Sequence, residues 1–196
     1  MAPPLRPAPT WQVATPILLW HGCVGTDAAA IIKYGVDPTK GRPDADFGRG
    51  FYLTSIPRQA KHWAWLKYYS LTPAQQTLSG GPVVLKFAPR PGNLAPLQSL
   101  AFVRGHYDYD DYWSLVQHCR QSTTGAIRNH KNTPDDAPQS CNWFDVVYGP
   151  VSAFWLQRAA MADSDQISFH TQDAALILNQ LIATGQPLDF EVNQVV

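Results

Sequence analysis

The sequence LLWHGCVGTDAAAIIKYGVDPTKGRPDADFGRGFYLT, residues 18–54, decides the fold of this chain. It begins with a short apolar run, which predicts a strand over residues 16–20 that is buried on both faces. His21 and Gly22 follow, at the predicted end of that strand. Because glycine has no side chain, Gly22 lets another molecule approach the main chain closely. The stretch therefore places a polar imidazole and an accessible peptide group where a strand leaves the core.

The second half of the same stretch predicts a helix and then another strand. Thr26 or Asp27 can cap the helix, and Gly35 ends it. A polar loop follows, and the next strand is predicted over residues 50–54, where Tyr52 comes after a glycine-flanked turn. Residues 18–54 thus predict a strand, helix and strand unit with polar groups at one end.

The remainder of the chain predicts a mixture of short helices and strands without regular strand–helix alternation. Surface loops are predicted over residues 72–82 and 121–140, while residues 97–103 fit a strand or a turn, and residues 151–162 fit a helix or a loop over the site. The other predicted elements are helices at 55–69, 109–119 and 172–182 and strands at 83–87, 143–148 and 166–169. This mixture favours the α+β class over a doubly wound sheet. We expect a Pro-rich leader at residues 1–10 and a single domain at residues 11–196.

The composition excludes several classes of protein. The 196 residues are 45% hydrophobic, and 15 Lys and Arg balance 15 Asp and Glu, so no net field attracts nucleic acid or acidic membranes. No apolar run of about 18 residues predicts a membrane span, and the Pro-rich start lacks the apolar core of a signal peptide. We expect an intracellular protein.

The three cysteines, Cys23, Cys119 and Cys141, lack the paired spacing of a metal site. An odd number without a disulfide framework indicates buried thiols in a reducing compartment. Cys23 lies two residues after His21, so a thiol-dependent hydrolase is an alternative, and a metal-dependent one is another. We expect no metal.

Several blocks of this sequence resemble the ADP-ribosyltransferase superfamily, in its branch with a His–Tyr–variable triad. The similarity is closest to a family of bacterial and fungal domains of unknown function assigned to that superfamily. It runs from about residue 17 to 178 and is carried by His21-Gly22, residues 46–54, Gln59-Ala60, Trp63-Ala64, and the later blocks 144–151 and 165–171. The resemblance implies an α+β fold with a split sheet, two mostly antiparallel sheets with NAD in the cleft between them.

The same resemblance implies three catalytic residues, His21, Tyr52 and Gln166. His21 would hydrogen-bond the adenosine ribose, and the main chain of Gly22 would pair with the nicotinamide carboxamide. Tyr52 would stack on the nicotinamide ring. Gln166 would hold the nicotinamide ribose.

Three further residues of the Asp-Phe-Gly-x-Gly-Phe-Tyr block are candidates for NAD binding: Asp46, Arg49 and Phe51. Arg49 could neutralise the diphosphate, because a guanidinium matches phosphate oxygens. Asp46 could instead cap the turn or pair with Arg49, and the sequence does not choose between these roles.

The third triad position departs from the common pattern. Many transferases have glutamate where this chain has Gln166, and Ser164 stands where arginine-directed enzymes have another glutamate. Asp165 is the nearest carboxylate, but strand alternation directs it away from Gln166. A missing charge beside a developing cation argues against polymer elongation. What remains is transfer of a single ADP-ribose to a protein, nucleic acid or small molecule, NAD hydrolysis, or a catalytically silent module that binds NAD or ADP-ribose.

Overall fold

A computed structural model describes residues 16–105, 109–121 and 144–185, together with the main chain of residues 188–191. The helices are α1 (Gly25–Tyr34), α2 (Pro57–Tyr69), α3 (Pro73–Leu78), α4 (Pro91–Leu94), α5 (Tyr109–Gln121) and α6 (Gln172–Ala183). The strands are β1 (Leu19–Val24), β2 (Phe51–Leu53), β3 (Pro82–Phe87), β4 (Ser99–Ala101), β5 (Val146–Gly149), β6 (Ser152–Phe154), β7 (Ala159–Ala160), β8 (Gln166–Phe169) and β9 (Leu188–Glu191). Two single-turn 3-10 helices cover Pro38–Lys40 and Trp155–Gln157.

The strands of the described part form two main sheets and one hairpin. One sheet has the order β1-β3-β9, the other has the order β2-β8-β5-β4, and β6 pairs with β7. All pairs are antiparallel except β4 with β5. The predicted α+β fold with a split sheet is therefore confirmed.

Two apolar cores lie on opposite faces of the four-stranded sheet. The first joins that sheet to the three-stranded sheet and to α6; its largest members include Leu19, Phe87, Phe51, Phe169 and Leu178. The second lies between the other face and α5, and its members include Phe47, Phe102, Tyr112, Leu115 and Val147. Strand alternation explains the division, because successive residues of β2 and β8 point to opposite faces.

Within the described residues, one pair of main-chain hydrogen bonds joins the two sheets. The N–H of Trp20 donates to the carbonyl of Thr54 at 2.8 Å, and the N–H of Thr54 donates back to Trp20 at 2.9 Å. Trp20 belongs to β1 and Thr54 follows β2, so the bridge connects the edge strands of the two sheets. The described residues show no further main-chain hydrogen bond between β1 and β2.

The first strand differs from its prediction. It covers Leu19–Val24 rather than residues 16–20, so His21 and Gly22 lie inside it instead of after it. Pairing with β3 explains the shift, since each residue of β1 has a Cα partner there. The helix α1 also begins earlier than expected, with Val24 at its N-cap.

Other segments depart from the sequence prediction through local turn chemistry. The predicted loop at 72–82 contains α3, which Thr72 and Gln75 cap reciprocally. Residues 151–162 form the β6–β7 hairpin rather than a helix, and residues 97–103 contain β4. The predictions for residues 1–10 and 121–140 lie outside the described residues. The longest helices, α2 and α5, have 13 residues each, and no helix in the described ranges has the length and apolar character to cross a membrane.

Helix α2 packs directly on the main chain of β1. A Cβ atom placed on Gly22 would lie 2.0 Å from the carbonyl oxygen of Ala60 and 2.8 Å from the nitrogen of Ala64. Both alanines are buried. The Cα of Gly22 is thus covered by the helix, and helix packing explains the glycine without a ligand. Only the edge of this peptide can face another molecule.

We predict that Gly22→Ala lowers the free energy of unfolding by about 3 kcal/mol, because the new methyl group must push α2 away from β1. The matched control is Gly92→Ala in α4, where an added Cβ meets no atom within 4 Å. That variant should keep or slightly raise stability. Urea unfolding of both proteins measures the difference. A loss below about 1 kcal/mol at position 22 would contradict this packing.

Candidate functional site

The candidate site lies where β1 and β2 separate. Trp20 directs its N–H and carbonyl away from β3, toward Thr54. Because main-chain groups alternate along an antiparallel strand, Gly22 directs its N–H and carbonyl to the same outer edge. The hydrogen bonds of the described residues include none that joins either Gly22 group to a second element at this edge. If the pairing continued, Gly22 would face Tyr52.

The imidazole of His21 occupies that position instead. Its Nδ1 lies 2.7 Å from the carbonyl oxygen of Tyr52, and its ring stacks on Phe51 with centroids 4.4 Å apart. A carbonyl only accepts hydrogen bonds, so Nδ1 carries the proton in the neutral ring and Nε2 keeps a lone pair. Burial lowers the pKa of His21 to about 4, so the ring is neutral at pH 7.

The Tyr52 side chain lies on the face of β2 opposite to Phe51 and the His21 ring. Its hydroxyl donates to the carbonyl of Gly48 at 2.7 Å and accepts from the N–H of Phe47 at 3.0 Å. The ring meets His170 edge to face, with centroids 6.2 Å apart. Burial raises the pKa of Tyr52 well above its usual value, so the phenol stays protonated. The ring position is therefore set by the loop that precedes β2.

Gln166 lies on the same face of the sheet as Tyr52. Tyr52 pairs with Ser168 across β2 and β8, and Gln166 is two residues from Ser168. The amide nitrogen of Gln166 donates to Oδ2 of Asp46 at 2.7 Å and to the carbonyl of Pro150 at 2.8 Å. Gln166 is 8% exposed, so it lies at the base of this region rather than at its surface.

Asp46 is the centre of a buried polar cluster. Its carboxylate is 3% exposed and accepts from the Arg120 guanidinium at 2.9 and 2.6 Å, from the N–H and hydroxyl of Ser152 at 2.8 and 2.5 Å, and from Gln166. Of the two roles that the sequence left open, neither a pairing with Arg49 nor a simple turn cap describes this arrangement. Asp46 instead joins its loop to α5, β6 and β8.

The remaining predicted NAD contacts occupy different positions. Arg49 is exposed and donates from Nη1 to the carbonyl of Thr39 at 2.9 Å. Phe51 is buried in the first core, against Phe87 and beneath the ring of His21. Phe51 thus supports the imidazole, while Arg49 has further guanidinium N–H groups that bond none of the described residues.

The neighbouring carboxylate, Asp165, has a separate structural role. It accepts from the Thr54 hydroxyl at 2.5 Å and from the N–H of Ser55 at 2.9 Å, and also from the Ser55 hydroxyl. The Gln59 side chain donates to the carbonyl of Asp165 at 2.6 Å and accepts from the N–H of Asp165 at 3.2 Å. Asp165 therefore holds the junction of β2 and α2 to β8, and it points away from Gln166 as strand alternation predicts.

The sequence did not identify three neighbours of the candidate residues: Arg120 and Ser152 bond Asp46, and His170 contacts the ring of Tyr52. Arg120 and Ser152 lie 74 and 106 residues from Asp46, and nothing local in the sequence marks them as its partners. His170 bonds the carbonyl of Arg49 through Nδ1 and the hydroxyl of Ser168 through Nε2, at 2.7 and 2.6 Å. Its position directly after a predicted strand was the only available signal.

The alternative thiol site is not supported by burial. Cys23 and Cys119 have 0% exposure, and burial raises the pKa of Cys119 to about 12. A buried thiol in apolar surroundings is a poor nucleophile. Cys141 lies outside the described residues. Across the described residues, no group of three His, Cys, Asp or Glu side chains is placed to hold a metal ion.

The structure brings the predicted residues together in two linked groups. His21 contacts the main chain of Tyr52 at the edge of the split. Gln166 connects to the Tyr52 hydroxyl through Asp46 and the adjacent Phe47. The imidazole and the amide do not share a bond partner; Tyr52 lies between them.

Comparison with known proteins gives one match. A family model described as "Protein of unknown function (DUF3990)" matches residues 17–159, more than half of the chain. The matched range includes His21, Asp46 and Tyr52 but ends before β8 and Gln166. No curated protein and no solved structure matches the chain.

We predict that the stability of the protein falls as the pH decreases from about 6.5 to 4. Burial lowers the pKa of both His21 and His170 from 6.5 to about 4. The unfolded chain therefore takes up protons in this window while the folded chain does not, at a cost of up to about 3 kcal/mol for each histidine. Thermal unfolding midpoints measured between pH 7.5 and 4 test the slope.

The variant His170→Gln should reduce this slope by about half. His62→Gln is the matched control, because His62 is exposed on α2, and it should keep the slope of the unmodified protein. An unfolding midpoint that stays constant from pH 6.5 to 4 would contradict the assignment of two neutral, partly buried imidazoles.

Proposed function

The chain belongs to the DUF3990 family of proteins of unknown function, and we propose that it is an NAD-dependent ADP-ribosyltransferase that transfers one ADP-ribose to an acceptor and releases nicotinamide. The observation that carries the proposal is the edge of β1 beside β2, where the Gly22 peptide and a neutral imidazole lie next to the main chain of Tyr52, whose ring is fixed on the other face of β2. The sequence resemblance to ADP-ribosyltransferases supports the same assignment.

The reaction breaks the bond between C1′ of the nicotinamide ribose and the pyridinium nitrogen. Nicotinamide leaves as a neutral molecule with the bonding electron pair, and the ribose gains oxocarbenium character. A hydroxyl, amine or water then forms the new bond to C1′ and loses its proton to solvent. The site must therefore orient the leaving group and tolerate a transient positive sugar.

The Gly22 edge suits the carboxamide of nicotinamide. A carboxamide carries one acceptor and an NH₂ donor, and Gly22 offers an N–H and a carbonyl on the same side of β1. Such a pair extends an edge strand by two hydrogen bonds, as β-strand addition does. Since α2 covers the Cα of Gly22, the peptide that would bind the ligand is held rigidly.

The two aromatic groups of the site are held in place for the rest of the dinucleotide. His21 uses Nδ1 for the Tyr52 carbonyl, and its unprotonated Nε2 can accept a hydrogen bond from a hydroxyl of the adenosine ribose. Tyr52 would stack on the nicotinamide ring, and both bonds of its hydroxyl fix the plane of its own ring. Arg49 would meet the diphosphate with guanidinium N–H groups other than the one that bonds Thr39.

A second candidate is a glycohydrolase or a catalytically silent NAD-binding module. One observation favours this reading: Gln166 is uncharged, nearly buried and engaged by Asp46. An amide stabilises a sugar cation less than a carboxylate does. In the hydrolase the acceptor is water; in the module NAD binds without release of nicotinamide.

We expect the purified protein to release nicotinamide from NAD, and His21→Ala and Gln166→Ala to reduce the rate about 10²-fold, as loss of a positioned polar group does. His62→Ala, at an exposed position of α2, is the matched control and should retain the rate. Chromatography of nicotinamide measures the reaction.

The same experiment with labelled NAD, with and without cell extract, separates the alternatives. Label attached to a macromolecule or small molecule indicates transfer, and free ADP-ribose indicates hydrolysis. Bound NAD without nicotinamide indicates the silent module. If the protein neither binds nor cleaves NAD, the proposed function is wrong.

A further inference from the structure

The most constrained polar group in the described residues is the Asp46 carboxylate. Five donor atoms surround it: two from Arg120, two from Ser152 and the amide nitrogen of Gln166. It is 3% exposed, so these bonds replace its hydration. Asp46 has little surface for a direct contact with a ligand. Its oxygens accept hydrogen bonds from neighbouring protein groups instead.

The orientation of the Gln166 amide follows from its two partners. Oδ2 of Asp46 and the carbonyl oxygen of Pro150 both accept hydrogen bonds only. The NH₂ end of the amide must therefore face them, and its two hydrogens serve the bonds of 2.7 and 2.8 Å. The amide oxygen is the end that remains, on the sheet face that carries Tyr52.

A glutamate at this position would meet the same two acceptors without a hydrogen to give them. Its carboxylate would lie against the negative charge of Asp46 at hydrogen-bond distance, in a buried place where such repulsion is strong. Arg120 already neutralises Asp46, so it supplies no spare positive charge. The environment accepts an amide and rejects an ionised carboxyl.

We propose that Asp46 is a positioning residue that requires an amide at position 166 and fixes that amide with its oxygen turned away from the carboxylate. This inference rests on the proposed function for its meaning: the oxygen would accept the 2′-hydroxyl of the nicotinamide ribose. The uncharged residue at the third triad position, Gln166, is then required by the cluster around Asp46. Replacing Gln166 with the glutamate that many transferases have would not by itself give this protein the chemistry of those enzymes.

The first test measures stability against pH in Gln166→Glu. The introduced carboxyl must stay protonated in the folded protein, so its pKa is raised there and the variant loses stability as the pH rises above about 4.3. The unfolding midpoint should lie close to that of the unmodified protein near pH 4 and roughly 10 °C below it at pH 7. A purely steric defect gives a difference that does not depend on pH.

The matched control is Gln180→Glu, which makes the same chemical change at an exposed position of α6. Because Gln180 lies in the last turn of α6, where a carboxylate is mildly unfavourable, any difference that grows with pH should stay well below that of Gln166→Glu. The partner test is Gln166→Glu in the background of Asp46→Asn. Removing the opposing charge should abolish most of the pH-dependent difference between glutamine and glutamate at position 166.

The second test measures nicotinamide release at pH 7. Gln166→Glu should not exceed the rate of the unmodified protein, and Asp46→Asn should lower the rate with bound NAD, since the amide loses its fixed orientation. If the unmodified protein releases no nicotinamide, the proposed function fails. The stability measurements on Gln166→Glu, with and without Asp46→Asn, still test the contact between Asp46 and residue 166. If Gln166→Glu matches the unmodified protein in stability from pH 4 to 7, or releases nicotinamide faster, the inference about Asp46 is overturned.

Discussion

The hydrogen bond from His21 to the carbonyl of Tyr52 is the interaction on which the rest of the site depends. One residue pair earlier, Trp20 and Thr54 exchange two main-chain bonds and join the sheets. Continued pairing would satisfy the Tyr52 carbonyl from the Gly22 N–H and close the gap. The imidazole takes that carbonyl instead, so the edge of β1 can stay open without leaving the Tyr52 oxygen unpaired. The stack on Phe51 holds the ring in this position.

Close main-chain contacts determine the path of the loop that follows α1. A Cβ on Gly41 would lie 2.1 Å from the carbonyl of Gly50, and a Cβ on Gly50 would lie 2.7 Å from the ring of His170. Two glycines therefore allow the loop to fold onto itself and onto the end of β8. This path places Asp46 beside Gln166 and lets the Tyr52 hydroxyl bond the residues next to Asp46. Backbone geometry and side-chain chemistry are coupled here.

The sequence predicted best those elements whose signals are local. The strand β8 and helix α6 match their predictions because an apolar strand, a Thr171 cap and a closing glycine occur in order. The prediction that His21 and Gly22 follow the first strand was wrong. A histidine and a glycine are typical of a strand end, and only the pairing with β3 shows that they lie inside β1. The Asp46 cluster was not predictable, because its partner Gln166 lies 120 residues away and no periodicity links them. Long-range polar contacts leave no pattern in one sequence.

The balance of charge at the site bears on the chemistry that it can support. Arg120 cancels Asp46, the imidazole of His21 is neutral and Gln166 has no charge, so dipoles rather than formal charges would face a bound ribose. Preorganised dipoles still stabilise a developing cation, because they need no reorganisation, but less than an adjacent carboxylate does. Such a site gains more from precise orientation of the leaving group than from electrostatic pull. In the proposed reaction, the Gly22 edge and the Tyr52 ring, each fixed by main-chain contacts, would supply this orientation, and a reactive acceptor would have to supply the remainder.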